Sequence, residues 1–213
     1  MRKYGITIIT LLLGLCLMLA GCGSQPASSG GQPEASKDSA DQAGETEALK
    51  EETAAQKDVL VVYFSATGTT KGVAEKIAAL TDADIYEIAP AQPYTEEDLN
   101  WHDENSRTTI EQNDKSARPE IAGDPLSLDR YTTVFIGYPI WWGEEPRIMD
   151  TFAESYDFSG ITVIPFCTSG SSGIGESGAN LEKLAGSGTW FAGERHSGNI
   201  SEEELQSWIN GLE

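Results

Sequence analysis

Three short stretches of the chain carry residues whose types and spacing could do chemistry. The first, Ser65-Ala66-Thr67-Gly68-Thr69-Thr70, is a run of hydroxyls with one glycine, and it leads directly into a helical pattern. The first N–H groups of a helix have no internal partner, and the helix dipole is positive at that end, so such a turn attracts an anion. The hydroxyls add donors, and Gly68 allows the main chain to approach a ligand closely. The loop holds no arginine and Lys71 is the one cation nearby, so a phosphate here would be held chiefly by neutral dipoles. The Gly-Lys-Ser/Thr ending of a nucleotide-triphosphate loop does not occur.

The second stretch is Pro139-Ile140-Trp141-Trp142-Gly143. Two adjacent tryptophans on a loop offer an aromatic face to a flat, mostly apolar ring. Adjacent side chains diverge, so one of the pair is expected in the core, and the sequence leaves open which. The third stretch runs through Thr168, Ser169, Gly170 and Gly173, whose small side chains let the main chain hydrogen-bond a ligand edge. Within it, Gly173-Ile174-Gly175-Glu176-Ser177-Gly178 spells a dinucleotide fingerprint. That motif should follow its strand directly in the first βαβ unit. Here a Thr-Ser-Gly-Ser-Ser stretch intervenes, and the reading is a loop entering a helix. Cys167 reads as an inert core thiol, and His102 and His196 have no nearby partners for a metal.

These stretches need a scaffold that brings them to one edge. Residues 59–64 are continuously apolar and β-branched, the pattern of a strand buried on both faces. Helical spacing follows over 70–80, with Val73, Ala74, Ile77, Ala78 and Leu80 on the apolar side. Further strands are predicted at 84–88, 132–137, 161–167 and 189–191. Helices are predicted at 146–156, with Pro146 in the first turn, at 177–185, and at 201–212 behind a Ser201…Glu204 capping box. Pro165 cannot donate to a ladder and is expected at the exit of its strand. Residues 89–130 are irregular, with a helix somewhere in 96–112. Five alternations of strand and helix imply a three-layer α/β/α domain on a parallel sheet, with ligands at the carboxyl ends of its strands.

An apolar strand ending Tyr63-Phe64-Ser65, then Ala66-Thr67-Gly68-Thr69-Thr70, resembles the FMN phosphate loop of flavodoxins, and the similarity covers residues 58–213. The resemblance implies a five-stranded sheet in the order 2-1-3-4-5, of the short-chain type, and non-covalent FMN. It implies phosphate contacts from Ser65, Ala66, Thr67, Gly68, Thr69 and Thr70. Ring contacts are implied for Pro139, Ile140, Trp141, Trp142 and Gly143, and contacts to the pyrimidine edge for Thr168, Ser169, Gly170 and Gly173. It further implies electron transfer to a basic protein partner, with no catalytic acid or base. Two alternatives stand beside it: an NAD(P)H-dependent quinone or flavin oxidoreductase on the same fold, and an FMN-free binding lipoprotein. Residues 89–130 depart from the family pattern and could cover the flavin or a partner surface.

The 213-residue chain has a formal charge of −20, and residues 58–213 hold 27 acids against 9 bases. Nucleic acid is excluded, since a phosphate backbone needs a basic footprint. With no arginine near the ring, this field should lower the flavin's potential. The N-terminus reads differently. Arg2 and Lys3 precede an apolar run over 6–20, too short to span a bilayer. Leu19-Ala20-Gly21-Cys22 then looks like a lipobox, making 1–21 a signal peptide and Cys22 a lipidated N-terminus. Residues after Cys22 as far as 57 are polar and poor in large apolar side chains, a disordered tether reaching on the order of 30 Å. The expected location is the extracytoplasmic side of the cell membrane, lipid-anchored. Globomycin treatment should therefore leave an unprocessed, larger form on gels; an unchanged mature form would count against lipidation.

Overall fold

The computed structural model describes residues 58–212; the expected leader, Cys22 and tether lie outside the described residues. The strand β1 (Val59–Tyr63) is an interior strand, second from one edge of the sheet, with Leu60, Val61, Val62 and Tyr63 all buried. Its side chains alternate between the two faces. Leu60 and Val62 join one core cluster, and Val61 and Tyr63 join the other. This two-sided burial is why the segment reads as one continuous apolar run.

The remaining elements follow, helix and strand in turn until the consecutive β5 and β6: α1 (Thr69–Thr81), β2 (Asp84–Glu87), α2 (Arg107–Asn113), β3 (Thr133–Pro139), α3 (Arg147–Ser155), β4 (Thr162–Thr168), α4 (Ser177–Ala185), β5 (Thr189–Trp190), β6 (Glu194–His196) and α5 (Glu202–Asn210). All ladders between these strands are parallel, and the order is β2-β1-β3-β4-β5, as the resemblance implies. On one face Val73, Ala74 and Ile77 of α1 and Leu205 of α5 pack on the sheet. On the other, Ile148, Met149 and Phe152 of α3 and Leu181 of α4 do so. The capping box of α5 is present as expected, Ser201 Oγ accepting from Glu204 N and Glu204 from Ser201 N. Pro146 is the N-cap of α3 and stands one residue before its first turn.

Two expectations are corrected together. The fifth strand is not the single run 189–191: it is broken into β5 and β6, both paired with β4. Pro165 does not stand at the exit of β4; it lies mid-strand, opposite Ile136 of β3. The break explains the proline. Phe191 N donates to Val163 O, so alternate residues of β4 point their amides toward the fifth position. Pro165 falls on that side, opposite the interruption at 191–193, where no ladder partner waits for its missing N–H. Gly193 closes the gap with φ 75°, and a Cβ there would come within 2.5 Å of Pro165 O.

His196 ends β6, buried at 2% exposure against the Trp208 ring at 4.5 Å, with Nε2 unpartnered. Burial, helped by Arg195, lowers its imidazole from 6.5 to about 4. The folded state thus resists protonation that the unfolded chain accepts. Its contribution is complete above pH 6.5 and drains away as pH falls toward the folded value, by about 2 kcal/mol at pH 5. Urea unfolding of His196→Phe should lack that part of the acid sensitivity; an unchanged pH dependence would refute this account.

Candidate functional site

Residues 65–68 leave β1 and enter α1 through Gly68, which is the N-cap in the left-handed region at φ 86°. No side chain caps this helix. Among the described residues, none of the backbone N–H groups of 65–71 donates to a protein acceptor; the first intrahelical bond is Gly72 N to Gly68 O. Thr67, Gly68 and Thr69 are exposed, whereas Thr70 is buried and shares a 2.8 Å hydrogen bond with the Thr168 hydroxyl of β4. A run of unpaired donors at a helix start, fixed in place by a buried hydroxyl pair, is an open anion cradle.

Thr168 also joins the second stretch, because its carbonyl accepts from Ile140 N at 3.0 Å. The chain then turns tightly. Trp141 and Glu144 exchange both backbone hydrogen bonds, and Trp142 and Gly143 have φ 50° and 85°. Two consecutive positive φ values make this a type I′ turn. Trp141 is the inward tryptophan, edge-on to Phe64 at 5.5 Å and to Tyr94 at 5.4 Å. Trp142 is the outward one, 46% exposed. A bulky residue at positive φ is strained, and strain of this kind gathers at functional positions.

The third stretch reaches the same edge. A Cβ on Gly175 would lie 3.6 Å from Gly143 O, so the loops after β3 and β4 approach each other. Arg195 of β6 donates to Ser169 O at 2.6 Å and to Gly170 O at 3.0 Å, and Ser172 O accepts from Ser169 Oγ. Carbonyls are thereby drawn back, while the N–H groups of 169–176 donate to no described residue. Gly173 is exposed within this loop. The fingerprint Gly173 to Gly178 is the loop entering α4, and Gly178 packs on Pro165 and Ala192. Cys167 is buried, and burial pushes its thiol up to about 12, so it is inert.

Sequence reasoning missed several residues that build the site. It counted no arginine near these loops, yet Arg195 grips the third one, and the argument for a lowered potential loses its premise. Gln112 of α2 donates through Nε2 to Trp141 O at 3.1 Å and to Glu145 O at 3.2 Å, holding the tryptophan turn from behind. Leu99, Trp101 and Thr108 line a cavity of about 320 Å³ with Ile140, Trp141 and Trp142. Residues 89–130 therefore contribute a wall beside the turn. Trp101 is 66% exposed, and a lone tryptophan inside an otherwise acidic stretch was the signal the sequence offered.

A family model described as flavodoxin matches residues 58–212. A candidate flavoprotein of Bacteroides eggerthii is 44% identical, with TM-score 0.68, over 73% of this chain and 97% of that one. One from Bacteroides uniformis is 45% identical, with TM-score 0.69, over 72% and 97%. A Lactobacillus acidophilus flavoprotein, solved in complex with FMN, is 23% identical, with TM-score 0.53, over 72% and 99%, a likeness of fold alone. No curated protein matches the chain.

The strained turn makes a separate prediction. Asparagine tolerates positive φ far better than tryptophan. Trp142→Asn should therefore stabilise the ligand-free domain by ~0.5–1 kcal/mol in urea unfolding. Destabilisation instead would mean that Trp142 packs more than it strains.

Proposed function

The chain belongs to the flavodoxin family, and we propose that its domain binds FMN non-covalently and works as an electron-transfer protein. The observation that carries this reading is the meeting of three loops at one sheet edge, with Thr168 bonded to both Thr70 and Ile140. One elongated ligand could then touch all three. The open N–H groups of 65–71, with Ser65, Thr67 and Thr69, suit a dianionic phosphate; Ala66, Gly68 and Thr70 shape the cradle. Ile140 and Trp142 offer an apolar and aromatic face to the ring, while Pro139, Trp141 and Gly143 set the turn's path. The free N–H groups near Ser169, Gly170 and Gly173 suit the carbonyl-rich pyrimidine edge, and Thr168 anchors that loop. FMN, when bound, supplies the redox chemistry; the protein supplies orientation and field.

The phosphate part of this reading involves no cation, since Lys71 is paired with Glu87 at 3.4 Å. An excess of 27 acids over 9 bases in the domain suits a basic redox partner. The lipobox reading of Cys22 supports work at the outer face of the cytoplasmic membrane, with the domain on a polar tether.

Titration of the apo-domain with FMN should quench flavin fluorescence at one equivalent. Thr69→Glu places an exposed carboxylate among the open donors and should weaken binding by ~100-fold or more while leaving the fold intact. Retention of full affinity in that variant would remove the phosphate cradle from the proposal.

A further inference from the structure

Immediately behind the tryptophan turn the domain buries three ionisable side chains together. Glu145, Arg147 and Asp150 are each no more than 2% exposed. Arg147 Nη1 donates to Asp150 Oδ2 at 3.2 Å and lies 3.8 Å from Glu145 Oε1. Its Nη2 donates to Glu144 Oε2 at 2.6 Å and to Gln112 O at 3.2 Å. A single guanidinium thus faces two buried carboxyls and a third at the rim. Asp150 Oδ1 is buried and has no hydrogen-bond partner among the described residues. Burial, with the neighbouring Asp150 charge added, pushes Glu145 up to about 7; burial raises Asp150 as well.

Other elements face this pair too. From α4, Asn180 Nδ2 donates to Glu145 Oε2 at 3.3 Å, and Lys183 stands beside it. From β3 comes Tyr138, which burial keeps neutral. After α2, Lys115 pairs with Glu144, and Arg118 pairs with Glu154 while lying 3.7 Å from Asp150. A cavity of about 290 Å³ runs between Lys115, Arg118 and Lys183 to Glu145 and Asp150. Protons can reach the pair through it without crossing the core.

We propose that Glu145, with Asp150 as its buried neighbour across Arg147, takes up a proton when the adjoining site gains negative charge, coupling electron uptake by FMN to protonation of this pair. The inference rests on the flavin reading above. One electron passes from a low-potential donor to the flavin, and one proton from solvent forms an O–H bond on the pair; no protein bond breaks. Added negative charge in a weakly screened interior raises the proton affinity of a nearby carboxylate. Linkage then requires that protonation favour reduction in return. Glu145 is a positioning residue: it acts through its field and through the turn that Gln112 ties to it.

The test is stepwise reduction of the FMN-loaded domain with dithionite across neutral pH. On the alkaline side of neutrality, the wild-type potential should fall with pH more steeply than that of Glu145→Gln. Asp150→Asn removes the neighbouring charge and should move the extra slope to lower pH. Infrared redox difference spectra of the wild type should gain a protonated-carboxyl C=O band on reduction, a readout that survives if the variants do not fold. Matching profiles, or no such band, overturn the inference while the flavin reading stands. A wild-type domain that binds no FMN overturns both.

Discussion

The constraint on which the site depends is a helix start that is left open. Backbone N–H groups normally find partners, and two helices of this domain close theirs with serine: Ser106 caps α2 and Ser201 caps α5. The first turn of α1 has Gly68 in the capping position and no side-chain acceptor. Solvent can satisfy these donors, so the arrangement is stable, but they stay available. What keeps the turn from collapsing onto itself lies at its far end. The buried Thr70–Thr168 bond ties the start of α1 to the end of β4, two strands away. A hydrogen bond of this kind contributes about 1 kcal/mol to stability, yet it fixes the register of two of the three loops.

Much of this was legible in the sequence, for physical reasons that differ by element. Central strands buried on both faces announce themselves as apolar runs, which is why β1 and β3 were readable. The hydroxyl turn was legible because glycine and threonine before a helical period have a specific meaning for backbone donors. The choice between Trp141 and Trp142 was not legible, because it depends on a turn whose positive φ at Trp142 breaks the usual residue preference. Nor was the role of Gln112: its amide works across a sequence separation of about thirty residues, on carbonyls that no pattern marks. Pro165 misled because β-sheet reasoning assigns proline to an edge or an end. It could not see that the neighbouring strand was interrupted to suit it.

That interruption also has a consequence for the loops. By breaking at 191–193, the fifth position lets β6 resume beside the end of β4, pairing Cys167 with Arg195. Arg195 is thereby carried to the loop that follows β4, where its guanidinium takes two carbonyls. A proline in the sheet, a glycine with no room for a side chain and an arginine clamp are parts of one local solution. Replacing any one of them on grounds of local propensity alone would disturb the others.

The same economy governs charge. A domain with 27 acids and 9 bases has few cations with which to hold an anion. The resolution is that its arginines serve as clamps on carbonyls and carboxylates: Arg195 on the third loop, Arg147 behind the second, Arg118 between the segment after α2 and α3. The open donors of residues 65–71 are dipoles, which would hold a phosphate without adding net charge. A flavin seated there would sense a fixed lattice of donors and clamped cations more than the distant surface acids, because exposed charges beyond about a Debye length are screened while buried ones are not. Close behind the tryptophan turn, the charges in that lattice are Arg147 and the three carboxylates it faces, Glu144, Glu145 and Asp150.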